Sequence, residues 1–413
     1  MKRVFFILLW GVFFFFLPFF IICAIAAIFW GSPVSNPNAP SNAVTIICCI
    51  ASPIGGLFGL ILGLFQTLPC TKILNPFDNL LRATSRSFYL TLRVLPAAVR
   101  PQIGLAYLLA RTTDTIADTE LVPLEQRLDA LHKLRDRILG SSTAPLNFGE
   151  LARQQASPAE RVLLEKVEDS LALLQKLSPA DLKLVRDVLT TIIGGQELDL
   201  RRFAGASAEE IVALETAAAL DDYTWRVAGC VGEFWTKICR AHLFPQARLD
   251  DGQLLNNGVR FGKGLQLVNI LRDLPADLHK GRCYLPTEKL EAAKLLPETV
   301  LSPANEARFL PLFHEHLDKA EAHLAAGWTY TNTLPFGQFR VRLACAWPIL
   351  IGMKTIERLR AASVIELQQH VKISHGERSS IIWRSVLSCP FPKAWRNLLP
   401  PAGKAVASGG KLA

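Results

Sequence analysis

No Cys-x-x-Cys pair occurs among the nine cysteines of the 413-residue chain, and no zinc-type spacing either. An odd count without such spacing reads as reduced, buried thiols in a cytosolic domain rather than a disulfide framework. No Gly-x-Gly-x-x-Gly follows a strand, which argues against a Rossmann cofactor site. A convincing run of alternating apolar and polar residues is missing, as is any internal repeat, so helices are the expected building element. Not one charged side chain lies between Arg3 and Lys72. The net charge of +9 is modest at this length. Basic residues interleave with acids instead of forming a stripe with aromatics, which excludes nucleic acid as the expected partner.

The uncharged stretch has its own order. Val4 to Trp30 is almost unbroken apolar sequence containing Pro18, and Ala43 to Leu68 is a second run containing Pro53. Both exceed the roughly 20 residues that cross a bilayer. Gly55, Gly59 and Gly63 stand four apart in the second run, a spacing that lets helices approach closely. The expectation is a transmembrane helical hairpin over residues 1–71, partnered by the lipid bilayer. Lys2 and Arg3 on one side, with Lys72, Arg82 and Arg86 on the other, place both ends in the cytosol. The alternative is a signal peptide ending near Trp30, although its apolar core would be unusually long and no Ala-x-Ala site follows.

Beyond the hairpin the pattern is helical almost throughout. Apolar residues recur at helical spacing over 103–116, 121–134, 157–177, 178–194, 207–243, 258–274, 305–331 and 340–361. Ser157, Ser178 and Ser207, each followed by an acid, read as helix starts. The domain plan is a membrane hairpin over 1–71, one all-α domain over 72–378 and a C-terminal tail over 379–413. His314 and His316, two apart on a helix, point about 200° apart and read as surface residues rather than a metal site.

Two stretches carry the chemistry. The first is Tyr107-Leu-Leu-Ala-Arg111-Thr-Thr-Asp114-Thr-Ile-Ala-Asp118, and the second is Gln266-Leu-Val-Asn269-Ile-Leu-Arg272-Asp273-Leu-Pro-Ala-Asp277. Residues four apart on a helix are offset by about 40° and about 6 Å, so each motif puts two carboxylates on one face. A solvated polar face would look the same. The apolar surroundings of the first stripe, Ile103 to Leu109, point instead to a buried helix, where carboxylates are costly unless paired or metal-bound. Paired hard oxygens suit Mg²⁺, which takes one or two carboxylates and substrate phosphates. The sequence therefore predicts a cavity that grips diphosphate through metal held by Asp114, Asp118, Asp273 and Asp277. Pro275 inside the second motif removes a helical hydrogen bond to Leu271 and predicts a kink or an end there.

Together with Ser85-Arg86-Ser87-Phe88, Tyr223-Thr-Trp-Arg-Val-Ala-Gly229-Cys-Val-Gly232 and Gly281-Arg-Cys-Tyr-Leu-Pro286, these motifs stand in an order that resembles the squalene and phytoene synthases, head-to-head prenyltransferases. The likeness runs from about residue 79 to 378. It implies an isoprenoid synthase helical bundle around a central cavity, with Mg²⁺ on both aspartate pairs and farnesyl diphosphate as substrate. It implies that Ser85, Arg86, Arg111, Asn269 and Arg272 bind diphosphate. Tyr223, Arg111 and Tyr107 take catalytic parts, Tyr223 by handling a proton near the cation. Gly229 and Gly232 are expected to leave room for isoprenoid chains. Arg226 departs from the aromatic or small residue common in the family. The segment Lys372-Ile-Ser-His-Gly-Glu377 resembles a basic stretch that binds the phosphates of NADPH, which assigns Lys372 and Asn269 to that cofactor.

The expected reaction is condensation of two farnesyl diphosphates to presqualene diphosphate, then reduction to squalene. The same motifs allow phytoene or dehydrosqualene synthesis, in which a proton leaves and no hydride enters. A non-catalytic membrane assembly factor of the same fold is the alternative of another class; such relatives tend to lose the aspartates that all remain here. Oligomeric state is not legible.

Overall fold

A computed structural model of the chain describes residues 78–85, 88–369 and 371–399. The expected hairpin over 1–71 lies outside them, as do Arg86 and Ser87. Among the described residues no helix is long and apolar enough to cross a membrane.

The described chain is almost wholly helical, as the missing alternation implies. Helices α1 (Asp78–Ser85) and α2 (Phe88–Val94) lead into α3 (Arg100–Ala117), which buries Ile103, Leu105, Leu108, Leu109 and Ile116. Pro101 sits in the first turn of α3, where its missing N–H costs nothing. Helix α4 (Leu124–Leu139) stops at Gly140, whose φ of +80° is a left-handed cap that a Cβ would disfavour. Short helices α5 (Gly149–Arg153), α6 (Pro158–Glu165) and α7 (Val167–Leu174) follow, so the single helix expected over 157–177 is broken at Lys166. Helix α8 (Pro179–Arg202) starts where Ser178 accepts from the Asp181 amide. It runs a full two turns beyond the expected end at Gly194, because Gly195 lies against Arg226 and Val227 and allows close packing without breaking the helix.

Ser207 does not start a helix. Its hydroxyl accepts from the amides of Glu209 and Glu210, which closes a turn, and the chain then forms β1 (Val212–Leu214). This strand pairs in parallel with β2 (Arg282–Pro286). The parallel pair contradicts the expectation of no strand. Three and five residues are too few for alternation to register as a pattern. Gly281 fixes the junction: with φ +76°, its missing Cβ would lie 2.3 Å from the Ser207 carbonyl oxygen.

Between the strands run α9 (Ala217–Thr224), a π-turn over Trp225–Gly229, α10 (Cys230–Leu243) and α11 (Asp251–His279). Asp250 caps α11 by accepting from the Gln253 amide. Of the kink or end expected at Pro275, the end does not occur: α11 continues to His279. Pro275 is buried, and packing of α11 against its neighbours offsets the lost hydrogen bond. After α12 (Thr287–Ala292) come α13 (Glu306–Thr333), α14 (Phe339–Ala361) and α15 (Val364–Gln368). On α13, His316 is 5% exposed and bonds the Leu312 carbonyl, so it is a core residue and not a surface one.

The segment expected as a tail from residue 379 is structured through its first part. Helix α16 (His375–Ser388) opens on a capping box of Ser374 and Glu377, and α17 (Pro392–Arg396) follows. Trp395 is buried, stacks on Trp328 with centroids 5.4 Å apart and donates to Asn332 Oδ1 at 2.9 Å. Trp347 donates to Ser385 at 2.9 Å. Two indoles thus clamp α16 and α17 to the domain, since a buried indole N–H needs a partner and its ring buries a large area. The clamp also holds Lys372, His375 and Arg378 at the wall of the cavity described next.

Candidate active site

A cavity of about 960 Å³ opens between α3, α8, α10, α11 and α14. That is at the upper end of ordinary ligand pockets, about 300–1,000 Å³. Ile103, Val188, Ile192, Val231, Phe234 and Ile351 give it apolar walls. Tyr107, Arg111 and Asp114 enter from α3, and Asn269, Arg272 and Asp273 from α11. The Asp114 and Asp273 ends of the two stripes therefore face one space, whereas Asp118 does not line it and Asp277 lines neither this cavity nor the chamber described next. Ser85 also reaches the wall, with its hydroxyl donated to the Leu81 carbonyl of its own helix. The Tyr107 hydroxyl donates to the Thr84 carbonyl at 3.3 Å, and its ring stacks on Phe88. Lys372, His375 and Arg378 line the same cavity.

Asp118, Asp199, Tyr223, Arg282 and Tyr284 face a smaller chamber of about 210 Å³. Asp114 and Val227 line both spaces. Tyr223 thus sits in the side chamber and not on the main wall. Gly229 and Gly232 do not make room in the cavity. A Cβ on Gly232 would stand 1.9 Å from the Gly258 carbonyl oxygen, and one on Gly262 would stand 2.1 Å from that of Ala228. These glycines let α10 and the π-turn cross α11 backbone to backbone, while Val227 and Val231 form the wall. Arg226 turns to Asp222 of its own helical segment, at 2.8 Å.

The acids are electrostatically loaded. Asp114 accepts from Gln196, and Arg111 reaches it at 3.8 Å while bound to Glu160. Its side chain is 46% accessible, but to cavity water, so it is enclosed by protein all the same. Burial, with Asp118 adding repulsion, pushes the Asp114 carboxyl up to about 6. Burial also raises Asp118, against the attraction of Arg282 and Arg111. Asp277 is pushed up to about 7 by burial and then by Asp273, although Arg282 and Lys280 oppose the shift. Arg272 grips Asp273 with two bonds, Nε at 2.8 Å and Nη2 at 2.6 Å.

No three His, Cys, Asp or Glu side chains converge into a metal cage among the described residues. Carboxylates come in pairs, one pair on each helix. That donor set fits Mg²⁺, which keeps several waters and completes its octahedron with substrate phosphates. Raised proton affinity at Asp114 and Asp277 marks the same sites as short of positive charge.

Asp277 gives a stability prediction. Its ordinary pKa in the unfolded chain is raised by folding, so its charge destabilises the fold fully above pH about 7. That cost shrinks as pH falls and is gone near pH 4. Asp277→Asn should therefore be more stable than wild type in chelator at pH 8, by about 1–2 kcal/mol once screening by cavity water is allowed for. Urea melts would show the gap closing toward pH 4. Equal stability at pH 8 would contradict the assignment.

The contacts that several residues make here carry no signal in the sequence. Glu160, Gln196, Asp199 and Tyr284 reach the site from helices and a strand far apart in the chain. Arg282 lies in a motif visible in the sequence, but its part in balancing Asp118, Asp199 and Asp277 depends on the strand.

The sequence matches the squalene/phytoene synthase family over residues 81–377. It is 27% identical over 282 residues to a bifunctional lycopene cyclase/phytoene synthase of Blakeslea trispora, covering 66% of this chain and 43% of that protein. The chain spans less than half the length of the bifunctional relatives it matches. A presqualene diphosphate synthase of Rhodopseudomonas palustris is 30% identical over 253 residues, 61% of this chain and 77% of the relative. A squalene synthase of Schizosaccharomyces pombe is 27% identical over 313 residues, 75% and 64% of the two chains. Among solved structures, a ligand complex of TcSQS superposes with a TM-score of 0.65 at 22% identity, covering 79% of this chain and 90% of that one. A dehydrosqualene synthase complex gives a TM-score of 0.53 at 20% identity, covering 78% and 98%. At such identity the likeness is one of fold.

Proposed function

The chain belongs to the squalene/phytoene synthase family, and we propose that it condenses two farnesyl diphosphates head to head to presqualene diphosphate, then reduces this to squalene with NADPH. The observation that carries the reading is the pairing of Tyr107, Arg111 and Asp114 with Asn269, Arg272 and Asp273 across one largely apolar cavity. Polar ends of two substrates would be held between these helices, and their hydrocarbon chains would lie along Ile192, Val231 and Phe234.

Asp114, Asp118, Asp273 and Asp277 would hold Mg²⁺, which when bound neutralises diphosphate and eases its departure. Arg272 already aims its planar fork at Asp273, and can turn the same fork toward phosphate oxygens when that carboxylate turns to a cation. Arg111 stands between Asp114 and Glu160 and adds positive charge where negative charge develops on the leaving group. The apolar walls exclude water, which would quench an allylic cation. In the coupling step the second substrate's double bond attacks that cation, and loss of a proton closes a cyclopropane.

Lys372, with Asn269 across the cavity, is assigned to NADPH, which supplies the hydride of the second half-reaction. The positive wall of Lys372, His375 and Arg378 supports an anionic group there. Release of an apolar product suits a membrane location, with residues 1–71 as a multi-pass anchor and the catalytic domain on the cytosolic side. A second reading, an unreduced product of the phytoene or dehydrosqualene type, draws on the phytoene synthase domain of several relatives. Full-length enzyme incubated with farnesyl diphosphate and Mg²⁺ separates the two. Squalene formed only when NADPH is present is the expected result. A C30 product left unreduced despite NADPH, or a C40 product from geranylgeranyl diphosphate, would move the assignment to the second reading.

A further inference from the structure

The side chamber holds a hydrogen-bonded chain that the diphosphate and metal sites do not use. The Tyr223 hydroxyl donates to the Tyr284 hydroxyl at 3.4 Å, and Tyr284 donates to Asp199 Oδ2 at 2.7 Å. The two rings stack at 4.8 Å and 22°, which fixes their hydroxyls relative to each other. The other carboxylate oxygen, Asp199 Oδ1, is buried with no partner. Both bonds are directed from Tyr223 toward Asp199. Val227 and Asp114 line both this chamber and the main cavity, so the chamber that holds the chain borders the substrate space.

We propose that Tyr223, Tyr284 and Asp199 form a proton relay, with the Asp199 carboxylate as terminal acceptor of the proton lost when the cyclopropane closes. The relay rests on the proposed function, because it needs a coupling step that releases a proton. In that step the C–H bond on the newly coupled carbon, one carbon removed from the cationic centre, breaks and its electron pair forms the closing C–C bond to that centre. The released proton goes to the Tyr223 oxygen as the Tyr223 proton moves to Tyr284 and the Tyr284 proton to Asp199. Asp199 ends neutral, the organic cation is discharged, and transfer of the proton from Asp199 to chamber water resets the chain.

The surroundings suit this direction of transfer. Burial pushes Asp199 up to about 6, opposed by the Tyr284 hydrogen bond and by Arg282 and Arg202, with Asp118 adding repulsion. Asp277 faces it from α11, and Arg127 from α4 completes the charged lining of the chamber. Asp199 thus binds a proton far more readily than an exposed aspartate and still releases it near neutrality, which is what a general base requires. Burial raises both phenols well above their ordinary range, so neither tyrosine holds a negative charge and the shift is concerted. A bystander stack of core tyrosines would have no reason to end on an aspartate with one unpartnered buried oxygen.

Full-length wild type, Asp199→Asn and Tyr284→Phe, each saturated with Mg²⁺, are compared on farnesyl diphosphate without NADPH. Diphosphate release and cyclopropyl product are measured together. In both variants release should stay within about threefold of wild type while coupled product falls about 100-fold, the ordinary worth of a general base, with uncoupled C15 alcohols in its place. Tyr284→Phe keeps the stacked ring, so it decides the matter should Asp199→Asn not fold. A wild-type ratio of product to diphosphate in the variants, or an equal fall in both, overturns the relay alone. A wild-type enzyme that releases no diphosphate overturns the proposed function and the relay with it.

Discussion

Replacing Asp114 or Asp273 with asparagine should lower kcat/KM for farnesyl diphosphate by about 10³-fold or more, with the helical signal unchanged. Each carboxylate lines the cavity from a different helix, and each has a cationic neighbour ready to turn toward phosphate. Loss of either removes metal and leaves one diphosphate uncompensated. Stability should not fall with activity at position 114, because the fold already disfavours that charge and burial pushes Asp114 up to about 6. Calorimetry on the two variants checks this. A variant that keeps a tenth of wild-type turnover would remove its aspartate from the metal site. A variant that loses both turnover and folding would make the residue structural.

The second large effect is on the scaffold. Gly232→Ala should cost about 2–4 kcal/mol, the range for forced overpacking and backbone shift. Its new Cβ would stand 1.9 Å from the Gly258 carbonyl oxygen and 2.5 Å from the carbonyl carbon, and both are backbone atoms that cannot rotate away. Helices α10 and α11 must then separate. Since α11 carries Asn269, Arg272 and Asp273, substrate affinity should weaken along with stability. Gly205→Ala is the control, since nothing lies within 4 Å of its added Cβ. Urea denaturation of the pair should show a shift in the first variant only. A cost below about 0.5 kcal/mol for Gly232→Ala would contradict the backbone contact.

The parts of this site that were legible in the sequence are those written along one helix. Tyr107, Arg111 and Asp114 repeat at three and four residues, as do Asn269 and Asp273, and the structure brings both stripes to one cavity. The all-α class was legible for the same reason. What depended on distant meetings was not. Tyr284 and Asp199 stand 85 residues apart, and no local period announces their bond. Gly229 and Gly232 show that a small residue is needed, but not on which side; the helix crossing, and not the cavity, uses the space. At the C-terminus the Ser374–Glu377 capping box signals a helix start, yet the Pro, Gly and Lys content beyond Pro390 outweighs it in the sequence. Burial of Trp395 against Trp328 reverses that balance through tertiary packing.

Pro275 shows the limit of a local rule. A proline in the second motif predicts an interrupted helix, and taken alone the penalty is real, about 3 kcal/mol. Helix α11 continues to His279 because its long apolar face is packed on both sides of the proline, with Leu271, Leu274 and Leu278 all buried. The expected doubt about Asp277 thus gives way to a definite position on α11, opposite Arg282 and Asp199.

The account stands on two helices presenting paired carboxylates to substrates that couple head to head. Its most direct test is the stoichiometry of diphosphate release by the full-length enzyme with farnesyl diphosphate and no NADPH, with and without Mg²⁺. Head-to-head coupling to a cyclopropyl diphosphate predicts one diphosphate released for every two farnesyl chains consumed, and none when Mg²⁺ is chelated. One diphosphate per chain with only C15 products, or release that does not depend on Mg²⁺, would contradict it.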